Sequence, residues 1–151
     1  MIDLGLLKQF LGLEIVQSEV GIKVSQQKYA LDLLLKFNIA ECKASKFPFL
    51  SGIKLGEIGD SPLVDSSLYR QLVGSLLYIT HSRTDLAYVL SVVARYMQKP
   101  HYIHWKESNR ILQYVQGTKN FGVHYVASSP LELVGFFDSD WDGDPNDRNS
   151  T

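Results

Sequence analysis

The stretch Tyr69-Arg-Gln-Leu-Val-Gly-Ser-Leu-Leu-Tyr78 constrains the fold more than any other part of the chain. It is entered through Asp65-Ser-Ser and reads as a helix with Asp65 or Ser66 as N-cap, where a short side-chain oxygen accepts the unpaired N–H groups of the first turn. On a 3.6-residue period Tyr69, Leu72, Val73, Leu76 and Ile79 share one face, which must be core. Arg70, Gly74 and Tyr78 then lie at i, i+4 and i+8 on roughly the opposite side. A glycine inside a helix costs about 1 kcal/mol relative to alanine, so Gly74 invites a reason. Two readings stay open. In one, Gly74 is an outward glycine beside a partly covered tyrosine, with no further role. In the other the face tracks nucleic acid, with Arg70 on a phosphate, Gly74 against the sugars and Tyr78 packed in a groove.

The remaining composition narrows the class. The chain has 151 residues, 45% of them apolar, which is too apolar for a disordered tail. Its single cysteine, Cys42, rules out an internal disulfide and suits a reducing compartment; it is assigned no chemistry. There is no uninterrupted apolar run of membrane-spanning length and no secretory-type leader, so an intracellular location is expected, with cytoplasm, nucleus and mitochondrion not distinguished. The net charge of −1 hides an asymmetry. From Arg70 to Leu131 seven basic residues face two acids, whereas from Glu132 to Thr151 six acids face only Arg148. A basic block followed by an acidic one fits a polyanion-binding segment followed by a metal-binding one; ordinary solvated faces fit equally.

Taken in order, Phe10–Val16 reads as a strand, Glu19-Val20-Gly21 as a turn and Ile22–Val24 as the returning strand. Gly12 inside the first strand implies a bulge or a close backbone approach. Ser25 is expected to cap a helix to about Phe37, with Tyr29, Ala30, Leu33, Leu34 and Phe37 inward and Asn38 at its C-terminus. Residues 39–64 have no sustained period and read as an irregular connection. After the organising helix, which ends near His81, Thr84 is expected to cap a helix carrying Leu86, Val89, Leu90, Val93, Tyr96 and Met97, ended by Pro100. A further helix spans about Ile103 to Gln116, with Trp105, Leu112 and Val115 inward and Gly117 in the left-handed position. Phe121–Val126 and Leu131–Phe137 alternate about a turn at Ser128-Ser-Pro130, a second hairpin that opens a new sheet. The fold class is therefore α+β: an N-terminal β-hairpin, a bundle of three to four helices and a C-terminal β-hairpin.

Candidate chemistry concentrates at the acidic end, Asp138-Ser-Asp140-Trp-Asp142-Gly-Asp144. Asp138, Asp140, Asp142 and Gly143 match the opening of a calcium loop, but Asn149 stands where a bidentate Glu is needed and the flank is a strand. The alternative is a strand-end carboxylate set in which Asp138 and Asp140 hold Mg²⁺ for phosphodiester hydrolysis; two-metal chemistry would need further acids beyond Thr151. A plain acidic turn remains the third reading. His101 and His104 are spaced i, i+3, but lack a third ligand nearby, so surface or capping roles are expected.

At these residues a family resemblance enters. The matching runs include Asp3-Leu-Gly-Leu-Leu7, Phe10-Leu-Gly-Leu-Glu14, Lys28-Tyr-Ala30, Tyr69–Tyr78, Arg83-Thr-Asp-Leu-Ala-Tyr88, Asp138-Ser-Asp-Trp141 and Asp147-Arg-Asn-Ser-Thr151. End to end, the chain resembles the Pol polyprotein of Ty1/copia-type retrotransposons and the short copia-derived reading frames of plant genomes and plant mitochondria. The resemblance implies that the Phe10–Glu14 hairpin is similar to the primer grip, with Gly12 and Glu14 as nucleic-acid-binding candidates, and that the bundle is similar to the thumb, with Arg70, Gly74 and Tyr78 at the tracking positions. It implies that Asp138 is the first aspartate of an RNase H-like domain that the chain only begins. The Tyr-Val-Asp-Asp-like polymerase motif of the family does not occur here, and Arg83-Thr-Asp departs from the usual Arg-Pro-Asp.

The implied layout is a primer-grip-like hairpin and first helix at 1–38, the connection at 39–64, a thumb-like bundle at 65–119 and the start of an RNase H-like domain at 120–151. Met1 is expected to be an internal methionine. The expected function is to hold primer–template duplex or RNA–DNA hybrid through backbone contacts, alongside the rest of the Pol polyprotein and with no membrane partner. Mg²⁺ would serve the parent polyprotein, with no cofactor expected for the isolated chain. RNase H activity completed in trans and an inert transposon relic are the alternatives.

Overall fold

Five apolar residues on one helical stripe must find a common partner, and they do. In the computed structural model, which describes residues 5–50, 52–128 and Gly135, Tyr69, Leu72, Val73, Leu76 and Ile79 are all buried. They belong to helix α2 (Ser66–Ile79), whose N-cap is Asp65: its carboxylate accepts from the N–H groups of Ser67 and Leu68 at 2.7 and 3.2 Å. Around α2 pack α1 (Gln27–Lys36), α3 (Ala87–Ala94, preceded by a 3-10 turn at Thr84–Leu86) and α4 (Tyr102–Gly117). The shared core takes Ala30, Leu33 and Leu34 from α1, Val89, Leu90 and Val93 from α3, and Ile111, Leu112 and Val115 from α4. Each fully buried aliphatic side chain contributes about 1.5–3 kcal/mol. The Tyr69 hydroxyl donates to Val93 O at 2.8 Å inside this core, and burial pushes its pKa up to about 12.

Strands β1 (Gln9–Phe10), β2 (Leu13–Ser18), β3 (Gly21–Ser25) and β4 (Gly122–Val126) form one antiparallel sheet in that order. The class is α+β. The strand expected over Phe10–Val16 is split, because Leu11 and Gly12 both take positive φ (47° and 79°) and make the two-residue turn between β1 and β2. The strand predicted at Phe121–Val126 pairs with β3, from Gly21↔Val126 to Ser25↔Gly122, and so joins the N-terminal hairpin instead of opening a new sheet. Alternation reveals a strand but not its partner. Its expected return strand, Leu131–Phe137, lies outside the described residues apart from Gly135.

Helix ends differ from expectation where a distant group does the capping. Gln26, not Ser25, is the N-cap of α1; Ser25 ends β3, and the Glu14 carboxylate accepts the Lys28 N–H at 2.7 Å from across the hairpin. α1 ends at Lys36 with Phe37 as its C-cap, and Asn38, expected at the helix C-terminus, follows in the left-handed conformation. Thr84 opens the 3-10 turn and does not cap α3, which stops at Ala94, ahead of Pro100. Gly117 is the last residue of α4 and is not left-handed; an added Cβ there would stand 2.9 Å from Ala44 Cβ, so close packing explains it.

The described part of the connection between α1 and α2 contains no helix or strand, yet it is fastened to α4. Gln116 donates to Ala40 O, Ser45 N–H donates to Gln113 O, and Leu55 is buried in the core.

Candidate nucleic-acid interface

With one face of α2 spent on the core, the opposite face is free to meet something else. Arg70, Gly74 and Tyr78 are all exposed. They lie in one row about 12 Å long, from eight residues at a 1.5 Å rise. A Cβ built on Gly74 meets nothing within 4 Å, so among the described residues no internal contact requires glycine there. Helix propensity favours alanine at such a position by about 1 kcal/mol.

Tyr78 is anchored at its far end. Its hydroxyl donates to Leu11 O at 2.7 Å in the β1–β2 turn, and its ring sits edge-on to Tyr29 with centroids 4.7 Å apart. Gly12 lies beneath it: an added Cβ would be 2.6 Å from Tyr78 Oη, and φ is +79°. Conformation favours glycine at position 12, and any side chain there would also have to displace the Tyr78 hydroxyl. Glu14, two residues on, is committed to the start of α1. The structure therefore joins Gly12, Glu14 and Tyr78 in one corner, where the hairpin turn, α1 and α2 meet, with Gly74 and Arg70 leading away along α2. Glu14 acts here as a helix cap, a role its sequence position did not reveal.

The basic block is smaller at the surface than in the sequence. Arg83 is buried; its guanidinium makes a bidentate pair with Asp85 at 2.9 and 2.8 Å and donates to Thr118 O and Oγ1. It also lies over the rings of Tyr114 and Phe121, so it fastens the start of α3 to the segment leading into β4. Burial alone would raise the Asp85 carboxyl, but the hydrogen bonds and charge of Arg83 outweigh it and hold the group below the usual carboxylate range. Arg110 pairs with buried Glu107 at 3.2 Å. Arg70, Arg95, Lys99 and Lys106 remain exposed, with Lys119 half-buried.

The histidine pair caps a helix. His101 is the N-cap of α4; its N–H donates to His104 Nδ1 at 2.9 Å, and His104 Nε2 donates to Leu55 O at 3.0 Å. His101 Nδ1 contacts Ser61 O, and the His104 ring stacks on Tyr96 at 3.9 Å. Both His104 nitrogens are thus engaged and the ring is neutral, with burial pushing its pKa down, the Leu55 bond opposing and the His101 charge adding to the fall. The expectation of a capping role holds. No group of three or more His, Cys, Asp or Glu that could hold a metal occurs among the described residues. Asp138 and Asp140, the expected metal-binding pair, lie outside them, as does the calcium-loop reading of that segment. No helix among the described residues is long and apolar enough to cross a membrane.

Comparison with known proteins adds the context. The chain is 36% identical over 145 residues, 96% of its length, to a retrovirus-related Pol polyprotein from transposon RE2 of Arabidopsis thaliana. It is 34% identical over 152 residues, its whole length, to an uncharacterized mitochondrial protein of the same plant. A retrovirus-related Pol polyprotein from a transposon of Nicotiana tabacum is 32% identical over 160 residues, again covering the whole chain. The chain spans 10% and 12% of the two polyproteins and 62% of the mitochondrial protein. No protein-family model and no solved structure matches it.

Proposed function

We propose that this chain is a segment of a retrovirus-related Pol polyprotein of a copia-type transposon and that its part there is to hold a nucleic-acid duplex or RNA–DNA hybrid by its backbone. The observation that carries this reading is the exposed row Arg70–Gly74–Tyr78, in which a glycine with open space above it separates a cation from an anchored aromatic ring. A cation there neutralises a phosphate, the gap admits a sugar–phosphate strand, and the ring edge packs in a groove without reading sequence. The polymerase aspartates, the remaining RNase H acids and their Mg²⁺ belong, in this reading, to other parts of the polyprotein, so the segment contributes grip and no bond-breaking step.

The test is equilibrium binding of the purified chain to an RNA–DNA hybrid across a NaCl series. About four phosphate contacts predict a log–log slope near −3.6, from roughly 0.9 per contact. A binding constant independent of salt, or no binding at low ionic strength, removes the proposal. Mg²⁺-dependent cleavage of the hybrid by the purified chain, lost in Asp138→Asn, would replace it with RNase H activity completed between copies of the chain.

A further inference from the structure

A histidine that accepts a hydrogen bond at one ring nitrogen and donates at the other can hold both partners only in its neutral form. His104 Nδ1 accepts from the His101 N–H at 2.9 Å, which leaves the proton on Nε2, and Nε2 donates it to Leu55 O at 3.0 Å. The ring is buried. The carbonyl it holds belongs to segment 52–60 of the connection, in which Leu55 is the only buried residue. On both sides that segment is tied to α4 by groups that do not titrate. Ser45 N–H donates to Gln113 O before it, and Ser61 Oγ and Pro62 O accept from the Ile103 and Tyr102 N–H groups after it. We propose that His104 is an acid-released latch: its protonation lets segment 52–60, with Leu55, swing away from the bundle while the flanking ties and the helices stay in place.

Protonation places an N–H on Nδ1, so two donors then face each other where the His101 N–H had an acceptor. The buried cation is relieved when the ring turns to solvent and gives up Leu55 O. The groups around the ring do not hold it in place. On its own helix His101 stands edge-on at 5.9 Å, and Glu107 is paired with Arg110. Beyond α3, Tyr96 stacks on the ring at 3.9 Å, a contact open to both of its protonation states. From α2, the Tyr69 hydroxyl meets α4 one turn on, at Ser108. On the connection, Lys54 and Glu57 flank Leu55 and pair with each other at 2.8 Å, and Asp60 is exposed beside Ser61. Burial lowers the proton affinity of the ring most, the Leu55 bond opposes, and His101 adds to the fall. A released ring titrates near pH 6.5, so each pH unit below about 6.5 favours the open segment by up to roughly tenfold, until the lower pKa of the closed form is reached. The latch does not depend on the nucleic-acid reading.

The test is amide hydrogen exchange of the full chain at about pH 7.5 and about pH 5, read by mass spectrometry and corrected for the intrinsic pH dependence of exchange. The expected result is a loss of protection of roughly tenfold or more at pH 5 in peptides covering 52–60, with the amides of α2 unchanged. His104→Gln keeps an acceptor for the His101 N–H and a donor for Leu55 O at both pH values, so its segment should stay closed. His101→Asn keeps His104 and a capping side chain, so its segment should still open on acidification. Equal protection at the two pH values, a loss that extends to α2, opening in His104→Gln as in the unaltered chain, or no opening in His101→Asn overturns the latch.

Discussion

Replacing Gly74 with alanine separates what the fold requires from what a ligand requires. Within the helix, Gly→Ala stabilises by about 1 kcal/mol because the backbone loses less freedom on folding. Nothing offsets this gain, since the new methyl group meets no atom within 4 Å. For a chain of this length that corresponds to a melting midpoint about 2–4 °C higher. On the ligand side the same methyl group occupies the gap through which a sugar–phosphate strand is proposed to approach. Overpacking a fitted contact costs about 1–3 kcal/mol, hence a dissociation constant for the hybrid roughly 5- to 150-fold larger. Thermal unfolding followed by circular dichroism and hybrid binding by fluorescence anisotropy give the two numbers on one sample. The expected variant is more stable and binds more weakly. An alanine variant that binds as well as the unaltered chain refutes the close-approach reading of Gly74, and one that is less stable refutes the claim that the space above it is open.

Gly12→Ala should behave in the opposite way, losing about 1–3 kcal/mol of stability in urea titrations, because φ of +79° is strained for alanine and the methyl group collides with Tyr78 Oη. Asp85→Asn leaves the Arg83 cation buried without its anion; with Asp85 itself part-exposed the loss should be about 2–3 kcal/mol, below the ~3–5 kcal/mol of a fully buried pair, again read from urea midpoints. His104 has a folded pKa below its unfolded value, so between the two the unfolded chain binds the extra proton. Its contribution is complete above about pH 6.5 and is lost as pH falls through the folded pKa. Melting midpoints should therefore drop below about pH 6.5, and His104→Gln should flatten that dependence; a rise on acidification contradicts the neutral Nε2–H assignment.

How much of this was legible in the sequence depended on how far apart the interacting residues were. The buried stripe of α2 and its Asp65 cap were fully readable, because helical period and capping are properties of neighbours. The inward residues of α1 were readable for the same reason, but its start was not, since Glu14 reaches it from the hairpin. The alternation at 122–126 marked a strand, and its pairing with β3 nearly a hundred residues earlier had no local signal. Arg83 reads in the sequence like any surface cation; only the distant Thr118, Tyr114 and Phe121 make it a buried fastener, although the Arg-Thr-Asp spacing was a clue. At the interface, the outward row on α2 followed from period alone. That Gly12 serves Tyr78 was visible only as an expected close approach, with the partner unnamed.

The central claim is that Arg70 faces a nucleic-acid phosphate, and counting released counterions tests it most directly. The log–log salt slope of hybrid binding should become shallower by about 0.9 in Arg70→Gln, with the melting midpoint unchanged, because the exposed side chain leaves the core intact. A variant with the same slope as the unaltered chain would contradict the account.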